Sequence, residues 1–177
     1  MNQIKVTNAK TLVAKDSIIA SGESKDCFVY AIASAFDLPY DEAHQLVKLV
    51  FNRQDRKGTS NLEVMSGMKE MIDLRTNING KFVRELMLNP SKVYHLHGKD
   101  VERRNRVSTF MKEHSQGTYL ILTGNHALVS KDGEMIDNIT GGSAKSFVRR
   151  IHTGVILALI SIKKSLHTRN SSCHGTL

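Results

Sequence analysis

The stretch that most limits how this chain can fold runs from Asp26 to Phe36. Phe28, Ile32, Ala35 and Phe36 recur there at helical spacing, and Ala31 and Ala33 fill the faces between them. A helix that is apolar almost all round is buried, so the rest of the domain has to cover it. Asp26 is a good N-cap, because its carboxylate can accept hydrogen bonds from the orphan amides of the next turn. Cys27 then falls in the first turn. Unpaired N–H groups and the positive end of the helix dipole favour a thiolate there, and the same N–H groups can hold a developing oxyanion. Taken alone, such a cysteine has a plainer reading as a small buried hydrophobe.

Length and composition bound what surrounds this helix. A chain of 177 residues with 40% hydrophobic and 24% charged residues fits one globular domain with a proper core. That domain is expected over residues 1–165, with 166–177 as a flexible basic tail. No apolar run reaches membrane-spanning length, and Met1 to Lys5 lack a signal peptide's apolar core. Two cysteines, Cys27 and Cys173, make no disulfide framework, so the expectation is a reducing, cytoplasmic setting without a membrane partner.

The net charge of +8 opens the possibility of nucleic acid or an acidic partner. The charge is uneven. After Asp137 there is no acidic residue, whereas Lys145, Arg149, Arg150, Lys163, Lys164 and Arg169 are all basic. No aromatic residues interleave with these cations as stacking platforms would require.

In chain order, residues 1–20 read as an edge strand and an approach loop. Asp37-Leu38-Pro39 ends the cysteine helix, since a residue before proline avoids the α region. A second, amphipathic helix runs from Tyr40 to about Gln54. Ser60 and Glu63 form a capping box that opens a third, Met-rich helix through Met65, Met68 and Met71. Asn77 to Gly80 is a turn, and Val93 to His97 alternates like a strand. His95 and His97 would share one face of it, but no cysteine or carboxylate cluster completes a zinc set, so no metal or other cofactor is expected. Val101 to His114 reads as a helix with Val107, Phe110 and Met111 inward. Strands follow at 118–123, 126–130 and 134–138, with Lys131-Asp132-Gly133 as a hairpin turn. A last, nearly apolar strand at 154–162 should be central. Helices first and an antiparallel meander afterwards make an α+β fold.

A cysteine nucleophile needs a base, and the base needs a third group to orient it. His126 is the candidate base, at the start of a strand and hence at the rim of the sheet. Asp137 and Asn138 are the candidate orienters on the strand that pairs with it. A two-residue Asp132-Gly133 loop makes Asp137 a diagonal neighbour of His126, whereas a three-residue loop sets Asn138 directly opposite. Both registers supply an orienter, and both stay open at this point.

The order of these elements resembles the papain-like cysteine peptidases in the broad sense, including the small phage-encoded and bacteriocin-leader types. The likeness is carried by the Asp26-Cys27 helix start, the run from Arg106 to His114, Gly117-Thr118-Tyr119-Leu120, His126-Ala127-Leu128, and Asp132-Gly133 with Asp137. It implies a central helix with the nucleophile at its N-terminus, packed on a C-terminal antiparallel sheet. It also implies Cys27 as nucleophile, His126 as base and Asp137 as orienter. Papain-type enzymes carry a glutamine six residues before the cysteine to complete the oxyanion hole. Here Ser21 stands at that position, leaving Ser21, Ser24 or Lys25 as substitute donors.

The expected activity is therefore thiol-dependent hydrolysis of an amide, peptide or isopeptide bond, with a protein or peptide substrate and a location in a host cytoplasm. The alternative is a scaffold of the same shape that has lost activity and binds a host protein or nucleic acid through its basic C-terminal face. The missing glutamine and the +8 charge favour that alternative.

Overall fold

The computed structural model describes residues 4–85, 91–96, 99–104, 106–123, 125–139, 145 and 150–156. The expected tail, Cys173, His97, the 140–143 loop and most of the basic C-terminal run lie outside the described residues. The fold is mixed α+β with a sheet that is mainly antiparallel. The N-terminal edge strand β1 (Val6–Asn8) is followed by two short helices, α1 (Ala9–Val13) and α2 (Ile18–Gly22), where the sequence suggested a loop. Asn8 and Ser17 start these helices by accepting hydrogen bonds from the Lys10 and Ala20 amides. Then come α3 (Cys27–Phe36), α4 (Tyr40–Phe51) and α5 (Asn61–Asp73).

The remaining elements are β2 (Asn77–Ile78), β3 (Lys81–Glu85), β4 (Ser91–Leu96), β5 (Lys99–Arg104), α6 (Val107–Glu113), β6 (Thr118–Leu122), β7 (Ala127–Lys131), β8 (Glu134–Asp137) and β9 (Arg150–Ile156). One sheet runs β1-β8-β7-β6-β9-β3-β2, with only the β1–β8 pair parallel. β4 and β5 form a separate antiparallel hairpin. The expected helix from Val101 is thus corrected: the chain pairs as a strand through Arg104, and helix begins only at Val107. Hydrogen bonding of Lys99–Arg104 to Ser91–Leu96 outweighs the weak helical pattern of that charged stretch. The last strand starts earlier than its apolar run suggested, at Arg150, and lies between β6 and β3 inside the sheet.

Period-two alternation divides the sheet between two cores. Leu120, Leu122, Ala127, Val129 and Ile136 join the large cluster built on α3, α4 and α5. Ile121, Leu128 and Met135 pack with Val107, Phe110 and Met111 of α6. Every residue of α3 from Phe28 to Phe36 is buried, as its all-round apolar sequence demands. Its C-terminal carbonyls are closed by side chains: Lys81 donates to the Ala35 oxygen at 2.8 Å and Asn79 to the Phe36 oxygen at 3.0 Å. Asp37 ends the helix in the left-handed conformation at φ 55°.

α4 and α5 cross closely because Gly67 has no side chain. A Cβ there would lie 2.4 Å from the Phe51 ring. The ring fits into that space and meets Phe28 edge-on, with centroids 4.9 Å apart. Phe28 is thereby fixed beside Cys27. The capping box at the start of α5 is present as read, with Ser60 and Glu63 bonded reciprocally.

Candidate functional site

Asp26 precedes Cys27 as the helix start implied, but its carboxylate does not cap α3. It makes no bond to the first-turn amides and instead accepts a 2.7 Å hydrogen bond from the Tyr40 hydroxyl. Burial explains the difference. Asp26 lies against α4 rather than facing water, and a buried carboxylate takes the strongest donor in reach. The same contact, added to the larger effect of burial, raises the pKa of Tyr40. Because Asp26 is engaged elsewhere, no side chain of the preceding residue occupies the amides around Cys27.

The loop before the helix is held from below. Glu23, almost fully buried, accepts from Arg53 Nη2 at 2.7 Å and from the Arg56 amide at 2.9 Å, and meets His44 Nε2 at 3.1 Å. Arg53 Nη1 also approaches His44 Nε2 at 3.1 Å. Burial pushes the Glu23 carboxyl up, but the arginine, the amide and the histidine outweigh it and bring its pKa to about 2. Sequence reasoning missed this cluster, whose contacts join residues 9 to 33 positions apart with no motif linking them. Glu23, His44 and Asp55 bring one ligand atom each within 4.8 Å of one another. The Arg53 guanidinium already supplies the positive charge at that point.

His126 lies in the connection between β6 and β7, immediately before β7. Its backbone oxygen accepts from the Thr123 amide at 2.8 Å and from the Thr123 hydroxyl at 3.1 Å, which pins the connection. Its ring Nε2 is 2.7 Å from Asp137 Oδ1. The register behind this is the two-residue one. Lys131 pairs with Glu134 and Ser130 with Met135, around Asp132 and Gly133 at φ 50° and 80°. Asp137 is the diagonal neighbour that this register predicts, and it is the carboxylate bonded to the ring. The Asn138 amide oxygen is buried with no hydrogen-bond partner among the described residues.

Burial pulls the His126 pKa down. The hydrogen bond and charge of Asp137, with a contribution from the neighbouring Cys27, outweigh it and raise the pKa to about 9. The ring is therefore imidazolium at neutral pH.

Cys27 and His126 line one cleft of about 410 Å³, walled by Lys25, Phe28, Gly58, Thr59, Ser60, Asn61, Val64, Leu122, Asn125 and Ala127. Of the three substitute oxyanion donors, Lys25 lines this cleft, in a left-handed conformation at φ 55° with Gly58 against it. The Ser21 hydroxyl donates to the Ile18 carbonyl at 2.7 Å, and the Ser24 hydroxyl donates to the Arg56 carbonyl at 3.2 Å. The structure thus brings together Cys27, His126, Asp137 and Lys25, and leaves Ser21 and Ser24 bonded to backbone outside the cleft lining.

No known protein family, curated protein or solved structure matches this chain.

Proposed function

We propose that the protein is a cysteine-dependent hydrolase of amide bonds with a papain-like arrangement of Cys27, His126 and Asp137. The observation that carries this reading is the His126 ring. It is bonded at 2.7 Å to a buried carboxylate and lines an open cleft together with the helix-start Cys27. A histidine that merely fills a core needs neither a sulfur partner nor a cleft.

In this reading the sulfur, its proton held by His126, attacks a carbonyl carbon and forms a carbon–sulfur bond. The carbonyl electron pair moves onto oxygen, where backbone N–H groups at the start of α3 accept the charge. As the pair returns, the carbon–nitrogen bond breaks and the imidazolium gives its proton to the departing amine. Water activated by the neutral ring then releases the acyl group. Asp137 keeps the ring oriented and balances its charge. The substrate is a protein or peptide, handled without a cofactor. The second reading, an inactive scaffold that binds an acidic partner or nucleic acid, draws on the +8 charge.

Thiol reactivity separates the two. Iodoacetamide at pH 6–7 should label Cys27 well ahead of Cys173, and His126→Ala should remove that lead. Equal labelling of the two cysteines in the unaltered protein would end the hydrolase reading. Retention on DNA that falls with salt and survives Cys27→Ala would favour the binder.

A further inference from the structure

Lys25 and His126 are the charged side chains in the wall of the cleft, and among the described residues that wall holds no carboxylate. Asp137 answers the imidazolium at 2.7 Å. Lys25 has no such answer. Its side chain is exposed, and no hydrogen bond or ion pair engages it among the described residues. The carboxylates nearby are committed elsewhere. Glu23 is taken by Arg53, Asp26 by the Tyr40 hydroxyl, Asp55 by Lys48 and Glu63 by the Ser60 amide. The backbone fixes where this cation starts from. Lys25 is held at φ 55°, a conformation that a glycine would adopt without strain. A Cβ on Gly58, which also lines the cleft, would lie 3.6 Å from the Lys25 Cβ. The lysine side chain therefore leaves the main chain beside the cleft wall, two residues before the nucleophile.

We propose that Lys25 sets substrate choice, so that the cleft takes acidic peptide segments with a carboxylate close to the scissile bond; the assignment rests on the hydrolase reading above. Charge is the feature of this wall that discriminates. The rest of the lining is apolar or neutral and would accept many side chains. Attraction between an exposed ammonium and a carboxylate is modest and weakens with salt. It is enough to choose between otherwise equal peptides, and a carboxylate in the wall would have reversed the choice.

The test compares two alkylating agents of nearly equal size, anionic iodoacetate and neutral iodoacetamide. The Cys27 sulfur displaces iodide from both, so their rate ratio within one variant cancels any change in the thiol itself. Lys25→Gln and Lys25→Gly should each lower the ratio of iodoacetate to iodoacetamide rates at Cys27 by about three- to tenfold. Lys25→Arg should keep the ratio, and added salt should shrink the difference. Hexaglutamate should protect the parent's Cys27 from iodoacetamide at concentrations where hexaglutamine does not. Ratios in Lys25→Gln and Lys25→Gly equal to the parent's overturn the proposal and leave the hydrolase reading standing. So does equal protection by the two peptides. If iodoacetamide labels Cys27 and Cys173 of the parent at the same rate, the hydrolase reading fails first and takes this proposal with it.

Discussion

Two histidines meet carboxylates close to the first turn of α3, and they end in opposite conditions. His44 is sealed at 3% exposure between Glu23 and Arg53, while His126 lines an open cleft together with Cys27. Both corners are built from the same residue types. They differ in what completes them. At the sealed corner a guanidinium answers the carboxylate's charge, so the histidine serves as packing and hydrogen-bond partner. At the open corner the histidine's own proton answers Asp137, and the residue lines a cleft. A histidine–carboxylate pair therefore signals chemistry only when its third member is a nucleophile and a route exists to it.

Breaking the sealed corner should have the largest effect. Arg53→Met leaves the Glu23 charge buried and uncompensated, and urea unfolding should show a loss of about 3–5 kcal/mol. Adding Glu23→Gln should restore a good part of it. Little loss in the single variant would mean that the corner is not a charged unit.

The two corners should also fail at opposite ends of the pH scale. Glu23, lowered from 4.5 to about 2, gives stability that is complete above 4.5 and lost as pH falls through 2. His126, raised from 6.5 to about 9, gives stability complete below 6.5 and lost as pH rises through 9. Unfolding curves of His126→Ala should therefore converge on the parent's in alkali and stay apart in mild acid.

At the open corner, Asp137→Asn keeps the shape and removes the charge. Acyl transfer should fall by about a hundredfold or more, and the His126 imidazole should titrate nearer 6.5 by NMR. An unchanged titration would show that Asp137 does not set the ring's state. The smallest effect is expected between the corners. Tyr40→Phe removes the donor to Asp26 and should cost about 1–2 kcal/mol in urea unfolding. If Asp26 turns to cap α3 instead, the cost shrinks and the cysteine becomes less reactive, which would tie the two corners together.

What the sequence made legible was local. The apolar face of α3, the Ser60–Glu63 box and the Asp132-Gly133 turn each announce themselves within a few residues. Cys27, His126 and Asp137 followed from their places on such elements. Between Asp137 and Asn138 the choice depended on the length of one turn, and Asp132 at φ 50° decided it. What stayed hidden was long-range. Asp26 has the composition of a cap, yet a tyrosine fourteen residues on claims its carboxylate. The Glu23–Arg53 pair has no signature because its cause is burial, which composition does not reveal. Val101–Arg104 reads as the start of a helix until Ser91–Leu96 offers it a hydrogen-bonding edge.

The parallel pairing of Val6–Asn8 with Met135–Asp137 sets the timing of assembly. The Cys27 sulfur stands more than a hundred residues before Asp137 in the chain, and the strand bearing that acid takes its outer neighbour from Val6–Asn8. The grouping of Cys27, His126 and Asp137 therefore exists only once the C-terminal strands are in place. Closure of a sheet through such distant contacts is slow.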